Sequence, residues 1–297
     1  MISKPESLAA AYIHHLTYER RLSPLTSENY ARDIRILLKY ANTDDLKQIQ
    51  SPNIRQVIAQ LHGKGLSSRS LSRMLSAWRS FYRYLIRDHQ YRHNPCIGLH
   101  VPKSAQKLPN VLSPDEATQL LAFSPDHMLT IRDSAMFELF YSSGLRLAEL
   151  TQLKPVDISF SEGTVRVLGK GGKTRIVPVG DYAIQALKAW IEQRVQIVKL
   201  EVSALFLSQH GDAISARTIS YRLKNRARQQ GIHQNVHPHI LRHSFASHLL
   251  QSSGDLRAVQ EMLGHAHITS TQVYTHLDFQ HLTKVYDTAH PRAKKRS

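Results

Sequence analysis

Apolar side chains recur at helical spacing through the first third of the chain. From residue 5 to residue 87 this spacing is interrupted at RLSPLT (21–26) and at HGKGLSS (62–68), where proline, glycine and polar residues cluster. The last helical stretch of this region, residues 68–87, carries an apolar stripe of Leu71, Leu75, Trp78, Tyr82 and Leu85. The pattern predicts a small all-α domain over residues 1–88.

The chain changes character after this domain. Residues 89–106 contain prolines but little periodicity, so we expect a linker there. A second domain, residues 107–290 with a tail to residue 297, begins its first helix at SPDEATQLL. In that segment Ser113, Pro114 and Glu116 form a helix-start signal.

The second domain combines helices with one short sheet. Gly144 allows a break between two helical runs, which places Arg146 near a helix N-terminus, where an anion is favoured. The segment GTVRVLGKGGKTRIVPVG (163–180) predicts two strands joined by a glycine-rich hairpin that presents Lys170 and Lys173. Helices then resume. The predicted fold class is therefore mainly α with a small antiparallel β-sheet.

The segment HPHILRHSFASHLL (237–250) predicts a helix that carries an unusual number of nitrogen-containing side chains. His239 and Arg242 share one face near its start. Its apolar stripe, which we expect to be buried, consists of Leu241, Phe245 and Leu249.

A metal site is one interpretation of this helix, since His239 and His243 have the i, i+4 spacing of zinc ligands. However, Ile240 stands where a zincin has glutamate, and no nearby Cys, Asp or Glu completes a ligand set. The other interpretations are a structural role and a phosphate site, in which His239 would carry a proton and Arg242 a fixed charge.

The composition favours a polyanionic partner. Lysine and arginine exceed aspartate and glutamate by 39 to 23, a formal net charge of +16, and the excess is present both before and after residue 106. Nucleic acid is the simplest such partner, and a basic protein with solvated lysines is the alternative. Arg79, Arg83 and Arg87 line up at i+4 intervals and form either a phosphate-binding row or a solvated face.

The compartment follows from what the sequence lacks. Cys96 is the only cysteine, which excludes a disulfide framework or a thiolate cluster within one chain. The N-terminus MISKPESLAA has no apolar signal segment, and no run approaches the ~20 apolar residues of a membrane span. We expect a cytoplasmic protein without membrane association.

Six residues whose side chains could bind a phosphate or take part in catalysis follow one another along the chain: Arg146, Lys170, His239, Arg242, His265 and Tyr274. Their motifs GLRLAEL, GKGGKTR, HPHILRHSFASHLL and LGHAHITSTQVYTH resemble those of the tyrosine recombinase (phage integrase) family, and within it the Xer recombinases of bacteria. The resemblance covers essentially the whole chain. It implies a SAM-like core-binding domain and a tyrosine recombinase catalytic domain that form a C-shaped clamp around duplex DNA, with no cofactor and no metal.

The resemblance also assigns roles to these side chains. Tyr274 would attack the scissile phosphate and form a 3′-phosphotyrosine, which keeps the bond energy for religation. The guanidinium groups of Arg146 and Arg242 would bind the non-bridging oxygens, whose negative charge grows toward the transition state.

Proton transfer is assigned to the remaining residues. Lys170 is the candidate general acid for the leaving 5′-oxygen, and Lys173 is the alternative or a phosphate contact. Because a free tyrosine has a pKa near ~10, a base is needed, and His239 is the candidate acceptor. His265 would hydrogen-bond the phosphate. The other histidines are interpreted either as structural residues or as residues that support the catalytic side chains: His243, His248, His267 and His276.

Partners follow from the same resemblance. We expect double-stranded DNA with a short specific chromosomal site and a XerD-like recombinase in a cyclic heterotetramer. A cell-division DNA translocase is a further expected partner, and the reaction would resolve chromosome dimers. The alternatives are a mobile-element integrase, a type IB topoisomerase and a DNA-binding architectural protein without activity.

The C-terminal segment 278–297 has its own apolar stripe, formed by Phe279, Leu282, Val285 and Tyr286. Such a stripe either packs on its own domain or docks on a neighbour. The family resemblance favours docking on the next subunit of the tetramer.

Overall fold

The computed structural model describes residues 4–41, 43, 45–102, 111–124, 126–169, 172, 174–264 and 276–293. These residues form twelve α-helices and one three-stranded antiparallel sheet. The predicted fold class is confirmed. The chain divides into two compact units, residues 1–107 and 108–297. No helix in the described part of the chain combines the length and the apolar character that crossing a membrane requires.

The first unit is built from helices. Its α-helices are α1 (Pro5–His14), α2 (Pro24–Ala41), α3 (Ser51–Gly63) and α4 (Ser68–His89), and a wider helical turn, His15–Glu19, extends α1. The five residues of the stripe predicted on α4 are all buried. At the centre of that stripe, Trp78 donates from Nε1 to the backbone carbonyl of Asp33 at 2.7 Å, which joins α4 to α2.

Part of the segment predicted as a linker packs on this first unit. Tyr91, Cys96 and Leu99 are buried in its core. Arg79 donates from Nη2 to the carbonyls of Cys96 and Leu99, at 3.2 Å each. One member of the predicted arginine row therefore holds backbone of its own unit rather than facing solvent.

The other two arginines of that row differ from Arg79. Arg83 and Arg87 are both exposed, and Arg87 donates to the carboxylate of Asp88 at 2.6 and 2.7 Å. The row is consequently not a uniform phosphate-binding face.

The second unit surrounds a small sheet with helices. Its helices are α5 (Pro114–Leu121), α6 (Met128–Ser143), α7 (Leu147–Gln152), α8 (Asp181–Arg194), α9 (Ala216–Gln229), α10 (Pro238–Ser253), α11 (Leu256–Leu263) and α12 (His276–Ala289). The strands β1 (Ile158–Ser159), β2 (Thr164–Leu168) and β3 (Thr174–Pro178) pair in that order.

Local signals explain several element boundaries of this unit. Ser113 caps α5 by accepting from the N–H of Glu116 at 3.1 Å, and Glu116 accepts from the N–H of Ser113 at 2.8 Å, which is the predicted capping box. α6 has apolar residues all round and is buried along most of its length, as expected of a central core helix. α10 buries its predicted stripe of Leu241, Phe245 and Leu249 completely.

The expectation that the C-terminal stripe docks on a neighbouring subunit is wrong for Leu282 and Tyr286. Both are buried in the core of their own unit, and the Tyr286 hydroxyl lies 2.6 Å from Ser142 Oγ. A helical stripe shows that a helix has an apolar partner, but the stripe does not say on which chain that partner lies. The side chain of Phe279 lies outside the described residues.

Two contacts beyond α12 tie the chain end to the same unit. Arg292 pairs with the buried carboxylate of Glu138, and the N–H of Asp181 donates to the carbonyl of Ala293 at 2.9 Å. A Cβ on Gly180 would lie 2.0 Å from the Arg292 carbonyl oxygen, so only glycine fits there. Removal of residues 278–297 would therefore expose core.

Candidate active site

Arg146 is positioned by a helix end and a helix start. α6 ends at Gly144, whose φ of +55° lies in the left-handed region. A Cβ there would lie 2.3 Å from Cδ1 of the Phe245 ring, so the turn requires glycine for space as well as for conformation. Arg146 then becomes the N-cap residue of α7, as the sequence predicts.

Glu149, in the first turn of α7, accepts two hydrogen bonds from Arg146. The backbone N–H of Arg146 donates to Oε2 at 2.7 Å, and its Nη1 donates to Oε1 at 2.8 Å. The Arg146 side chain remains 37% exposed, whereas Glu149 is buried. Arg146 therefore presents part of its guanidinium to solvent while a buried carboxylate fixes the rest.

Two further arginines face the same carboxylate. Arg175 on β3 forms a two-pronged pair with it, from Nη1 to Oε1 at 2.8 Å and from Nη2 to Oε2 at 2.9 Å. Arg242 on α10 places Nη1 3.9 Å from Oε2. Burial raises the pKa of Glu149, but the hydrogen bonds from Arg175 and Arg146 outweigh it and lower the pKa to about 2. The carboxylate is thus a permanent anion at neutral pH.

The three arginines also converge on the C-terminal end of α11, where successive carbonyls each accept from a different guanidinium. Arg175 Nε donates to Met262 O at 3.0 Å, Arg242 Nη2 to Leu263 O at 2.6 Å, and Arg146 Nη2 to Gly264 O at 3.3 Å. The carbonyl end of a helix carries partial negative charge, which favours cations there. Four elements, α7, β3, α10 and α11, consequently meet at one cluster of charge, which we call the arginine cluster: Arg146, Arg175, Arg242 and Glu149.

The sequence accounts for the position of α11. Gly254 ends α10 with φ +67°, and Asp255 caps α11 by accepting from the N–H of Ala258 at 2.8 Å. α11 stops at Leu263, because Gly264 adopts φ +64°. Its last carbonyls are therefore presented directly before residue 265.

Arg242 is the most buried of the predicted site residues that the structure describes. Its Nη1 also donates to the carbonyl of Gly144. Burial, the nearby Arg146 and then Arg175 lower the pKa of Arg242 to about 10, against the opposing effect of Glu149. It therefore remains a cation at neutral pH.

His239 lies on the exposed side of the first turn of α10. Its ring centroid is 6.2 Å from that of His237, and the rings are roughly perpendicular. Burial, followed by the charges of His239 and His243, lowers the pKa of His237. Among the described residues, no three His, Cys, Asp or Glu side chains are arranged to hold a metal ion.

His248, interpreted from the sequence as support, is buried behind this helix. Its Nε2 lies 2.8 Å from the carbonyl of Leu112, and its Nδ1 lies 2.7 Å from the Tyr141 hydroxyl. Burial lowers the pKa of His248, although the bond to Leu112 opposes this. The side chain therefore joins α10 to Tyr141 of α6.

The structure brings Arg146 and Arg242 together through Glu149 and carries His239 on the same helix as Arg242. The assignment of catalytic roles to these residues stays a prediction. The remaining predicted site residues, Lys170, His265 and Tyr274, lie outside the described residues, as do Lys173 and His267. The side chain of His276 also lies outside them.

Glu149 and Arg175 are site residues that the sequence reasoning did not single out. A signal for Arg175 was present, because the period of two in β3 places it on the same face as Val177, which is buried. An arginine on the buried face of a strand needs an anion. Glu149, three residues after Arg146, is the side chain that supplies it.

Two family profiles match the chain. The profile described as the Phage integrase family matches residues 110–281, and the profile described as the Phage integrase N-terminal SAM-like domain matches residues 9–89. The chain belongs to the phage integrase family. The family predicted from the motifs is confirmed, and with it the SAM-like character of the first domain.

Relatives place this integrase-family chain among the tyrosine recombinases. It is 49% identical to the tyrosine recombinase XerC of Ralstonia pickettii, over 98% of this chain and 96% of the relative. It is 50% identical to XerC of Pseudomonas aeruginosa, over 96% and 95%. The tail segment DFQHLTKVYDTAHPRAKK predicts the same XerC resemblance. As a member of this family, the protein is a site-specific DNA recombinase that cleaves and rejoins strands.

Solved structures show the same fold. XerH bound to a palindromic difH substrate, in a post-cleavage complex, matches with a TM-score of 0.70 and 25% identity, over 90% of this chain and 81% of that chain. The Tn1549 transposon integrase in complex with a circular intermediate DNA matches with a TM-score of 0.75 and 20% identity, over 95% and 99%. The latter likeness concerns the fold alone.

Proposed function

We propose that this recombinase breaks and reseals double-stranded DNA at a short specific site through a 3′-phosphotyrosine formed by Tyr274. The observation that carries the proposal is the arginine cluster, in which Arg146 and Arg242 are held side by side by one buried carboxylate. Two fixed cations in a partly buried site are what a phosphodiester requires when its charge increases in the transition state.

The arginine pair would act on the non-bridging oxygens. Each guanidinium is pre-oriented by hydrogen bonds to protein carbonyls and to Glu149, so it need not reorganise when the phosphate becomes pentacovalent. Loss of one such donor costs about 3 kcal/mol of transition-state stabilisation in comparable sites. Arg146, the more exposed of the two, is the one that would meet the phosphate first.

In the proposed reaction every bond that forms is matched by one that breaks, and no cofactor is needed. The Tyr274 oxygen would form a bond to phosphorus while the bond to the 5′-oxygen breaks, and His239 would accept the phenolic proton. Lys170 would donate a proton to the departing 5′-oxygen, and His265 would hydrogen-bond the phosphate. Religation reverses these steps with a 5′-hydroxyl from a second duplex, so no metal or nucleotide is consumed.

A basic face on α9 supports duplex binding. Arg217, Tyr221, Lys224 and Arg228 recur at i, i+4, i+7 and i+11 and are all exposed. α9 contains no acidic residue, so this face is positive along its whole length. Such a row would contact the phosphate backbone, and the exposed tyrosine ring adds an apolar surface between the cations.

The proposed partner is a second, XerD-like recombinase in a cyclic heterotetramer on chromosomal DNA. Identity of 49% and 50% to two proteins named XerC supports this assignment over the mobile-element integrase. Resolution of chromosome dimers before cell division, with a DNA translocase as activator, follows from that role. The reaction would take place in the cytoplasm, where the chromosomal substrate lies.

Capture of the covalent intermediate tests the proposal. The wild-type protein is incubated with a nicked duplex whose cut fragment diffuses away, so that the 3′-phosphotyrosine cannot be resealed. We expect a denaturant-resistant protein–DNA band from the wild type and none from Tyr274→Phe, which keeps the ring but removes the nucleophile. Gel shift should show unchanged half-site binding by the variant. A covalent band from Tyr274→Phe would contradict the assignment.

The general acid has its own test. If Lys170 protonates the leaving oxygen, Lys170→Ala should cleave an ordinary substrate poorly and recover on DNA with a 5′-bridging sulfur, because a thiolate leaves without a proton. Lys173→Ala is the matched control. Equal impairment of Lys170→Ala on both substrates would instead indicate phosphate binding.

A further inference from the structure

We infer that Arg175 is a positioning residue for strand cleavage: it does not touch DNA but fixes the Arg146–Arg242 pair by clamping Glu149 to the end of α11. This inference rests on the proposed function, since it assumes that the pair binds the scissile phosphate. Nothing in the motif GKGGKTR distinguishes this arginine from a second phosphate contact. The geometry does.

Each nitrogen of the Arg175 guanidinium donates a hydrogen bond within its own protein. Nη1 and Nη2 donate to the two oxygens of Glu149 and Nε donates to the carbonyl of Met262, so all three nitrogens have acceptors. The side chain is 6% exposed. It therefore cannot reach a phosphate without breaking a buried two-pronged ion pair, whereas Arg146 is 37% exposed.

Arg175 connects three elements, β3, α7 and α11, and so fixes their relative positions. Val167 of β2 pairs opposite Arg175, which anchors the arginine in the sheet. From there it holds α7 through Glu149 and α11 through Met262. Arg146 and Arg242 donate to the next two carbonyls, of Gly264 and Leu263. If Arg175 is removed, Glu149 keeps only the bonds from Arg146, and α11 loses one of its three clamps.

Loss of Arg175 would displace the guanidinium groups of Arg146 and Arg242. A guanidinium pair must match the phosphate oxygens closely, because a displacement of about 1 Å in a positioned group can cost about 10²-fold in rate. Lysine in place of Arg175 would keep the charge but could not form both bonds to Glu149 and the bond to Met262 from a planar group. Arg175→Lys is therefore the conservative variant, with an intermediate defect.

The experiment compares Arg175→Met and Arg175→Lys with the wild type and with a matched control, Arg166→Met. Arg166 lies on β2 of the same sheet, faces outward, and pairs with Asp157 at 3.0 Å. Three quantities are measured on each full-length protein. They are half-site affinity by gel shift, the rate of covalent complex formation on a nicked substrate, and the same rate on a substrate whose scissile phosphate is a methylphosphonate.

We expect Arg175→Met to form covalent complex about 10²-fold more slowly, with half-site affinity within about 3-fold of the wild type. Arg175→Lys should lie between the two, and Arg166→Met should match the wild type. On the methylphosphonate the deficit should shrink below about 10-fold. One charged oxygen is absent there, so the reaction depends less on a well-placed arginine pair.

Several results would overturn the inference. One is a wild-type rate for Arg175→Met, and another is an equal loss on both phosphate types, which would mean a merely structural role. Recovery on a 5′-bridging sulfur instead of the methylphosphonate would show that Arg175 acts through Lys170. If Arg175→Met fails to fold, the ratio of the two rates for Arg175→Lys decides the question. Absence of covalent complex from the wild type would instead contradict the proposed function.

Discussion

Asp33 in the first unit and Glu149 in the second are both buried carboxylates that face arginine, and their surroundings differ. Asp33 on α2 is fully buried in the first unit and accepts from Arg73, while no described residue donates to its Oδ1. Glu149 in the second unit accepts four hydrogen bonds from Arg146 and Arg175 and lies near Arg242.

The difference appears in the acidity of the two groups. Burial raises the pKa of Asp33, and neither the hydrogen bond and charge of Arg73 nor the charge of Arg32 reverses this. For Glu149, burial acts in the same direction, but the hydrogen bonds lower the pKa to about 2. Burial alone therefore does not decide whether a carboxylate stays charged; the number of donors around it does.

This comparison separates two uses of buried charge. Asp33 helps to join α2 and α4, since its carbonyl accepts from Trp78 and its carboxylate from Arg73. Glu149 instead keeps three cations together that would otherwise repel one another. The proposed chemistry would therefore depend on Glu149, and the packing of its unit does as well.

The largest expected effect comes from Glu149→Gln. The amide cannot neutralise Arg175 and Arg242, which would remain buried without an anion. We expect the free energy of unfolding to fall by ~3 kcal/mol, as when one partner of a buried ion pair is removed. The rate of covalent complex formation should fall by at least ~10²-fold.

Urea unfolding and the nicked-substrate assay measure these two effects. Glu162→Gln, an exposed glutamate of the same unit, is the matched control and should change neither. A stability within about 1 kcal/mol of the wild type for Glu149→Gln would show that the arginines find other partners.

A smaller effect concerns acid. Because the folded pKa of Glu149 lies below its unfolded value of 4.5, its contribution to stability is complete above that value and is lost as pH falls toward 2. By pH 3 the loss amounts to ~2 kcal/mol. Asp33 acts in the opposite direction, since its raised folded pKa makes acid protonation favour the folded state.

Urea unfolding between pH 7 and pH 3 separates these contributions. The stability of Glu149→Gln should fall less with acid than that of the wild type, and the stability of Asp33→Asn should fall more. Identical slopes for all three proteins would mean that neither carboxylate has the acidity described above.

The smallest expected effect is that of Asp33→Asn at pH 7. The amide is neutral, so it removes a charge whose burial is only partly compensated. We expect a change in the free energy of unfolding of at most ~1 kcal/mol. A loss as large as that of Glu149→Gln would remove the distinction between the two groups.

Much of the fold follows from local sequence. Capping residues Ser113 and Asp255, the left-handed glycines 144, 254 and 264, and the stripe on α10 all act within a few residues of where they stand. Such signals depend on the local backbone preferences of single residue types, so they can be recognised in the sequence. The two-residue strand β1 has no such signal, because two residues cannot show a period.

Contacts between residues that lie far apart in the chain could not be predicted from these local patterns. Arg79 has the spacing of a phosphate row, yet its acceptors are carbonyls about 20 residues further along the chain. The stripe on α12 finds its partner around Ser142, more than 100 residues earlier. Likewise, Arg146 and Arg242 could be named from their motifs, but the carboxylate that unites them becomes evident only when α7, β3 and α10 are brought together.

The contacts at the end of α11 can form only after several elements of the second unit have folded together. Its three carbonyls accept from arginines supplied by β3, by α10 and by the start of α7. No intermediate that lacks one of these elements contains the complete set of contacts. A nascent or partly unfolded chain, although already basic enough to associate with DNA, would not hold both cations at cutting distance. If the arginine pair binds the scissile phosphate, as proposed, DNA cleavage would be restricted to chains whose second unit is fully assembled.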